Sequence, residues 1–235
     1  MRVAGHRLRQ GALAVPAICA LVCAGHALAQ AGPPATCGSL ASSYGPFDYR
    51  TNKADLIPVE QFHFTPEVEQ LIRGKTGAVA QDLDYTLRTS PNHHRALLAM
   101  ARYGERLKTP HLPLATYSVE CYFVRAITFK PDDTTVRMLY SNYLKTLGRT
   151  SEALRQLDMA AGRPIEFGFT NYNLGLSYFG LSAFDKARRH AQLALEQGFP
   201  RTDLKEKLLA AGHWQSAPTD SDAEAASPPA SGASR

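Results

Sequence analysis

The chain is short of the features that usually announce chemistry. Four cysteines and one tryptophan occur in 235 residues, and no Ser, His and Asp stand around a nucleophile elbow in a strand-turn-helix context. That absence argues against an acyl hydrolase. Gly74-Lys75-Thr76 echoes a phosphate loop, but the earlier glycine such a loop needs falls at Glu69 and no strand precedes it, so nucleotide binding is set aside. Past the first segment there is no apolar run long enough to cross a bilayer. Charge is scarce too. Without Arg2, Arg7 and Arg9 of the first segment, 23 basic side chains face 21 acidic ones, a net charge of +2 in place of +5. A nucleic-acid partner loses its main support with them.

The first segment reads as an export leader. Met1 to Gln10 carries three arginines and no acid, Gly11 to Leu28 is apolar or small, and Ala27-Leu28-Ala29 ends it with a small-x-small cleavage site. The expectation is a signal peptide over 1–29 and a periplasmic or secreted mature chain. Cys19 and Cys23 leave with it. Cys37 and Cys121 remain, an even pair that in an exported protein suggests a disulfide; the alternative is two unpaired thiols, with Cys121 packed as a small apolar side chain. Residues 213–235 are mostly Ser, Ala, Pro, Gly and acids without apolar period, and are expected to be a disordered tail.

What is present in quantity is a helical pattern built on small residues. Asn171 to Pro200 reads NYNLGLSYFGLSAFDKARRHAQLALEQGFP, with Leu174, Gly175 and Tyr178 on one helical face and Ala187, Ala191 and Ala194 on a second. Thirty-four residues earlier stand Ser141, Ala153, Leu157 and Ala160 at the positions of Gly175, Ala187, Ala191 and Ala194. A recurrence at that period resembles the tetratricopeptide repeat (TPR) family, whose members are stacks of helical hairpins. The fold class implied is all-α, a helical-hairpin solenoid over 65–212, preceded by an irregular arm over 30–64.

The breaks along the chain fill in that plan. Thr65-Pro66-Glu67 is the expected start of regular structure, followed by a helix carrying Val79, Leu83 and Leu87 that ends before Ser90-Pro91. Ser90 then caps the next helix, which runs from Pro91 to Leu107, and its partner runs from about Leu114 to Thr128 after a lengthened turn. Asp132 or Asp133 caps a helix through Leu147, and Ser151 to Ala160 pairs with it. A last helix from Thr202 turns Leu204, Leu208 and Leu209 inward and closes the stack. Tyr44, Phe47 and Tyr49 in the arm are expected to pack on the helices.

Function follows from the resemblance. It implies a non-catalytic protein-protein interaction scaffold whose concave groove holds a partner peptide, with no cofactor. The groove positions are Arg95, Leu98, Arg102 and Arg106 in the first unit, Thr135, Met138, Asn142 and Lys145 in the second, and Phe169, Tyr172, Leu176 and Phe179 in the third. Such a groove is basic and amide-bearing at one end and aromatic at the other, suiting a peptide with an acidic residue followed by apolar anchors. The partner is expected in an envelope assembly, and self-association through the aromatic end is a further option. The competing reading is a metal-binding or hydrolytic protein built on Asp82, Asp84, Asn92, His93 and His94, the densest polar cluster. Adjacent histidines point about 100° apart on a helix, which suits capping and inter-helix hydrogen bonds better than a shared metal.

Overall fold

A computed structural model describes residues 37–214; the cleavage site and residues 215–235 of the expected tail lie outside them. Ten α-helices and no strand occur among the described residues. They are α1 Lys53–His63, α2 Pro66–Glu69, α3 Val79–Thr89, α4 His94–Leu107, α5 Val119–Phe129, α6 Thr134–Thr146, α7 Thr150–Ala161, α8 Gly168–Phe179, α9 Phe184–Glu196 and α10 Asp203–Ala210.

The 34-residue period is visible in the elements themselves. α6 and α8 begin 34 residues apart, and so do α7 and α9. α6 packs on α7 and α8 on α9 as antiparallel hairpins, while α4, α6, α8 and α10 contact one another in succession to form one layer. The small residues that set the period are buried at the contacts: Ala153, Ala160 and Ala187 are fully covered. Gly175 shows why size matters there. A Cβ on it would sit 2.5 Å from Leu204 Cδ2 of α10 and 3.2 Å from the Ala187 carbonyl of α9, so only glycine lets α8 approach both.

Two hydrophobic clusters result. The first runs from Phe64 to Ala153 and is built of large side chains, with Phe123 stacked against Tyr140 and Tyr143, each at 5.3 Å between ring centres. The second takes in Leu157, Ala160, Tyr172, Leu174, Ala187, Ala191, Leu204 and Leu208, and alanine is four of its eleven buried side chains against six of twenty-two in the first.

Several boundaries differ from expectation. The stretch taken as irregular holds α1, which buries only Leu56 and Val59 and carries Pro58 inside it, too weak an apolar stripe to stand out in the sequence. Ser90 does not cap α4. His93 does, its Nδ1 accepting from the Ala96 amide at 3.2 Å, while Ser90 ends α3 with its hydroxyl buried and unbonded. α5 starts at Val119, five residues past the expected start, where the Ser118 hydroxyl accepts from the Cys121 amide. Asp133 caps α6 through the Val136 amide at 3.1 Å. Leu204 and Leu208 of α10 are buried, but Leu209 is exposed.

The arm lies on α3 to α6. Cys37 and Cys121 form a disulfide, Cα atoms 5.1 Å apart. Arg125 donates to the carbonyls of Cys37 at 3.0 Å and Ser39 at 2.6 Å, its guanidinium over the Tyr117 ring. The Phe47 amide donates to the Thr89 carbonyl at 2.9 Å, made possible by Gly45, where a Cβ would fall 2.4 Å from that same oxygen. The Tyr49 ring lies tilted against His93, 4.1 Å between centres.

Candidate functional site

The layer of α4, α6 and α8 carries three adjoining hollows. One of 170 Å³ lies between α4 and α6, lined by Leu98, Arg102, Glu105, Leu139, Asn142 and Thr146 among others. The next, of 360 Å³, lies between α6 and α8 and is lined by Met138, Leu139, Asn142, Phe169, Asn173 and Leu176, again among others. A third, of 300 Å³, continues past Thr135 and Thr170 to Arg50, Asp132, Glu166 and Phe167. Leu139 and Asn142 belong to the first two, Thr135 and Thr170 to the last two, so the three form one track. On α6 the contributing positions 135, 138, 139 and 142 are one helical face, and on α8 positions 169, 173, 176 and 177 are another.

The chemistry along the track is mixed. Its middle is apolar with two amides: Asn142 is exposed and bonds to none of the described residues, and Asn173 donates to the Phe169 carbonyl at 3.0 Å. Phe169 is 60% exposed and Phe167 70%, the two most water-facing aromatic rings among the described residues. Solvated aromatic surface at the mouth of a groove is available to a ligand. The first hollow has one cation, Arg102, beside Glu105. At the far end Arg50 is engaged with Asp48 at 2.9 Å and Asp132 at 2.8 Å.

The expected groove residues divide accordingly. Leu98, Arg102, Thr135, Met138, Asn142, Phe169 and Leu176 line the track. Arg95 does not: it forms a two-pronged pair with Glu69 of α2 and lies 5.3 Å from the centre of the Phe64 ring. Arg106 donates to the Leu71 carbonyl at 2.9 Å. Both are held by α2 and the residues after it and line none of the three hollows, which leaves Arg102 as the cation of the first. Tyr172 is buried, its hydroxyl donating to Asp203 of α10 at 2.6 Å, because α10 takes the place that a further hairpin would leave open. Phe179 packs edge-on against Phe184 at 5.4 Å, and Lys145 is exposed beside Gly180. Leu139 and Asn173, which the sequence reading passed over, face the track and lie 34 residues apart, a relation that period alone could have flagged.

The polar cluster of α3 and α4 performs a different task. Asn92 Nδ2 donates to Asp48 at 2.7 Å and to Asp133 at 2.9 Å while its carbonyl accepts from the Tyr49 amide, locking the arm between two loops. Burial pushes the Asp133 carboxyl up, but His94, Asn92 and the Val136 amide outweigh it and hold the group below the ordinary carboxylate range. Asp48 is likewise held down by Arg50 and Asn92 against the effect of burial. His93 and His94 serve separate carboxylates: His93 Nε2 meets Glu60 at 3.0 Å and His94 Nε2 meets Asp133 at 2.8 Å. No group of three or more His, Cys, Asp or Glu side chains is placed to hold a metal ion among the described residues. The amides of Lys75 and Thr76 do bind an anion, and it is the chain's own Asp82, at 2.6 and 3.1 Å.

No protein-family model and no curated protein sequence matches the chain. Among solved structures, one described as MamA MSR-1 C2 is similar, at 17% identity over 60% of this chain and 72% of that one, with a TM-score of 0.37. At that TM-score the likeness transfers neither geometry nor role to this chain.

Proposed function

We propose that the protein is a non-catalytic scaffold of the TPR type, exported to the periplasm, that holds an extended segment of a partner protein along α4, α6 and α8. The observation that carries this reading is Asn142: an exposed amide with donor and acceptor both open, at the point where two hollows join. An extended main chain offers alternating N–H and C=O groups, and a side-chain amide pairs with both at once. Met138, Leu139, Leu176 and Phe169 around it supply apolar contact for the segment's side chains. The 34-residue recurrence of helix starts supports the family, and the leader together with the Cys37–Cys121 bridge supports an oxidising compartment such as an envelope assembly.

With Arg95 and Arg106 occupied, the favoured segment is a mainly apolar one, and the acidic residue first expected at its start is a minor feature resting on Arg102 alone. The test is partner recovery from cells expressing the wild type or Asn142→Ala/Asn173→Ala. Two lost hydrogen bonds of about 1 kcal/mol each reduce recovery roughly tenfold or more with helicity intact. Equal recovery by the variant of the same partner sinks the groove reading.

A further inference from the structure

On the opposite side of α8 lies a separate hollow of 260 Å³ at the junction of α7, α8 and α9, lined in part by Arg163, Asn171, Arg189, His190 and Gln197. Asn171 stands about 160° around α8 from the middle of the track face, and the hollow meets the far end of the track only at Ile165. The lining holds two guanidinium groups and no carboxylate. Arg163 and Arg189 are both exposed, and neither has a partner among the described residues. Other arginines of this molecule are neutralised locally, as Arg149 is by Glu120 and Glu152 and Arg88 by Asp84. A further buried cation, Arg137, is held by the Pro131 carbonyl and Gln156 without any carboxylate, and burial together with the charge of Arg163 pulls its pKa down. Positive charge therefore gathers on this side, and no carboxylate among the described residues pairs with Arg137, Arg163 or Arg189.

The floor of the hollow is ordered by a chain of hydrogen bonds. The Ile165 carbonyl accepts from Gln197 Nε2 at 2.8 Å, so Gln197 presents its oxygen to Asn171 Nδ2 at 2.9 Å. Asn171 must then offer its own oxygen to His190 Nδ1 at 2.7 Å, which fixes the proton on Nδ1. His190 is only 7% exposed, stacks on Tyr178, and is left with an Nε2 that bonds to none of the described residues. Burial and the Arg189 charge hold the imidazole pKa below its ordinary value, so an anion that offsets that charge favours the protonated ring, in which Nε2 is a second donor.

We propose that this hollow binds a phosphate group, free or carried on a lipid headgroup, between the Arg163 and Arg189 guanidiniums with His190 beneath it. Phosphate fits better than carboxylate on two counts. Two guanidinium forks and an imidazolium offer donors in more than one plane, which a tetrahedral oxyanion accepts and a flat carboxylate does not. A dianion also offsets more of the positive charge of two arginines and an imidazolium than a single negative charge does.

The experiment is a titration of the purified protein with sodium phosphate, followed by the ¹⁵N resonances of the His190 ring. The expected result is a saturable shift with proton uptake at Nε2, about tenfold weaker in Arg163→Gln/Arg189→Gln. Arg155→Gln, whose guanidinium approaches Glu152 away from the hollow, binds as the wild type does. Flotation with phosphatidylcholine vesicles, plain or containing phosphatidic acid, assigns the source: lipid phosphate if the second kind retains wild-type protein and not the double variant, free phosphate if neither does. No saturable response to phosphate, or the same response in the double variant (an adventitious ion only), overturns the proposal. Both arginines are exposed and unbonded, so the double variant folds and the comparison stands.

Discussion

The two halves of the described chain are held by different means. From the arm to the start of α6, a disulfide ties Cys37 to α5, and the buried carboxylates of Asp48 and Asp133 are clamped by Asn92, Arg50 and His94. From α6 to α10 the helices rely on closeness. Alanines and Gly175 let the hairpins nest, with no disulfide and fewer buried charges among the described residues. The comparison shows why only the second half repeats cleanly. Close packing constrains side-chain size at fixed intervals, so it writes a period into the sequence, whereas a stapled and hydrogen-bonded half tolerates irregular spacing.

Breaking the staple is expected to have the largest effect. The bridge joins residues 84 apart, and Cys37→Ser/Cys121→Ser costs about 4 kcal/mol on the chain-entropy account. Denaturant titration with and without reductant measures it. Hydrogen exchange is expected to rise in the arm and α5 while α8 and α9 keep their protection. Gly175→Val is the converse. Forcing side-chain atoms into the α8–α9–α10 contact costs about 3 kcal/mol, read as faster exchange in those helices and no added sensitivity to reductant.

Asn92→Leu is smaller, about 2 kcal/mol, because it leaves the Tyr49 amide, Asp48 and Asp133 each short of one bond. It is expected to loosen the arm alone, seen as cleavage by protease near Tyr49. Acid acts on the same cluster. Asp48 and Asp133 have folded pKa values below their unfolded ones, so their contribution is present above about pH 4 and is lost as the pH falls further. Near-ultraviolet circular dichroism of the arm tyrosines is expected to change on acidification before the far-ultraviolet signal of α8 and α9 does.

Much of the second half was legible in the sequence for the reason just given: Ala153, Ala160, Ala187 and Ala194 mark the contacts and all four are buried. Asp133 read correctly as a cap because its side chain answers to its own helix. α1 was illegible because two buried residues and an internal proline make no stripe. The start of α4 was misplaced because Ser90-Pro91 satisfies a local capping rule, while the arm and α3 decide where the helix begins. The track was half legible. Met138, Asn142 and Leu176 follow from the groove positions that the TPR resemblance implies, but the fates of Arg95 and Arg106 depend on Glu69 and Leu71, which lie in a segment with no repeat to place it.

The measurement that bears most directly on the scaffold account is crosslinking in living cells from a photoreactive residue installed at one position at a time. Leu98, Leu139 and Leu176 along the track are expected to capture the same partner, while Arg155 and Thr128, outside it, capture none. Capture from Arg155 or Thr128 with silence at all three track positions contradicts the account.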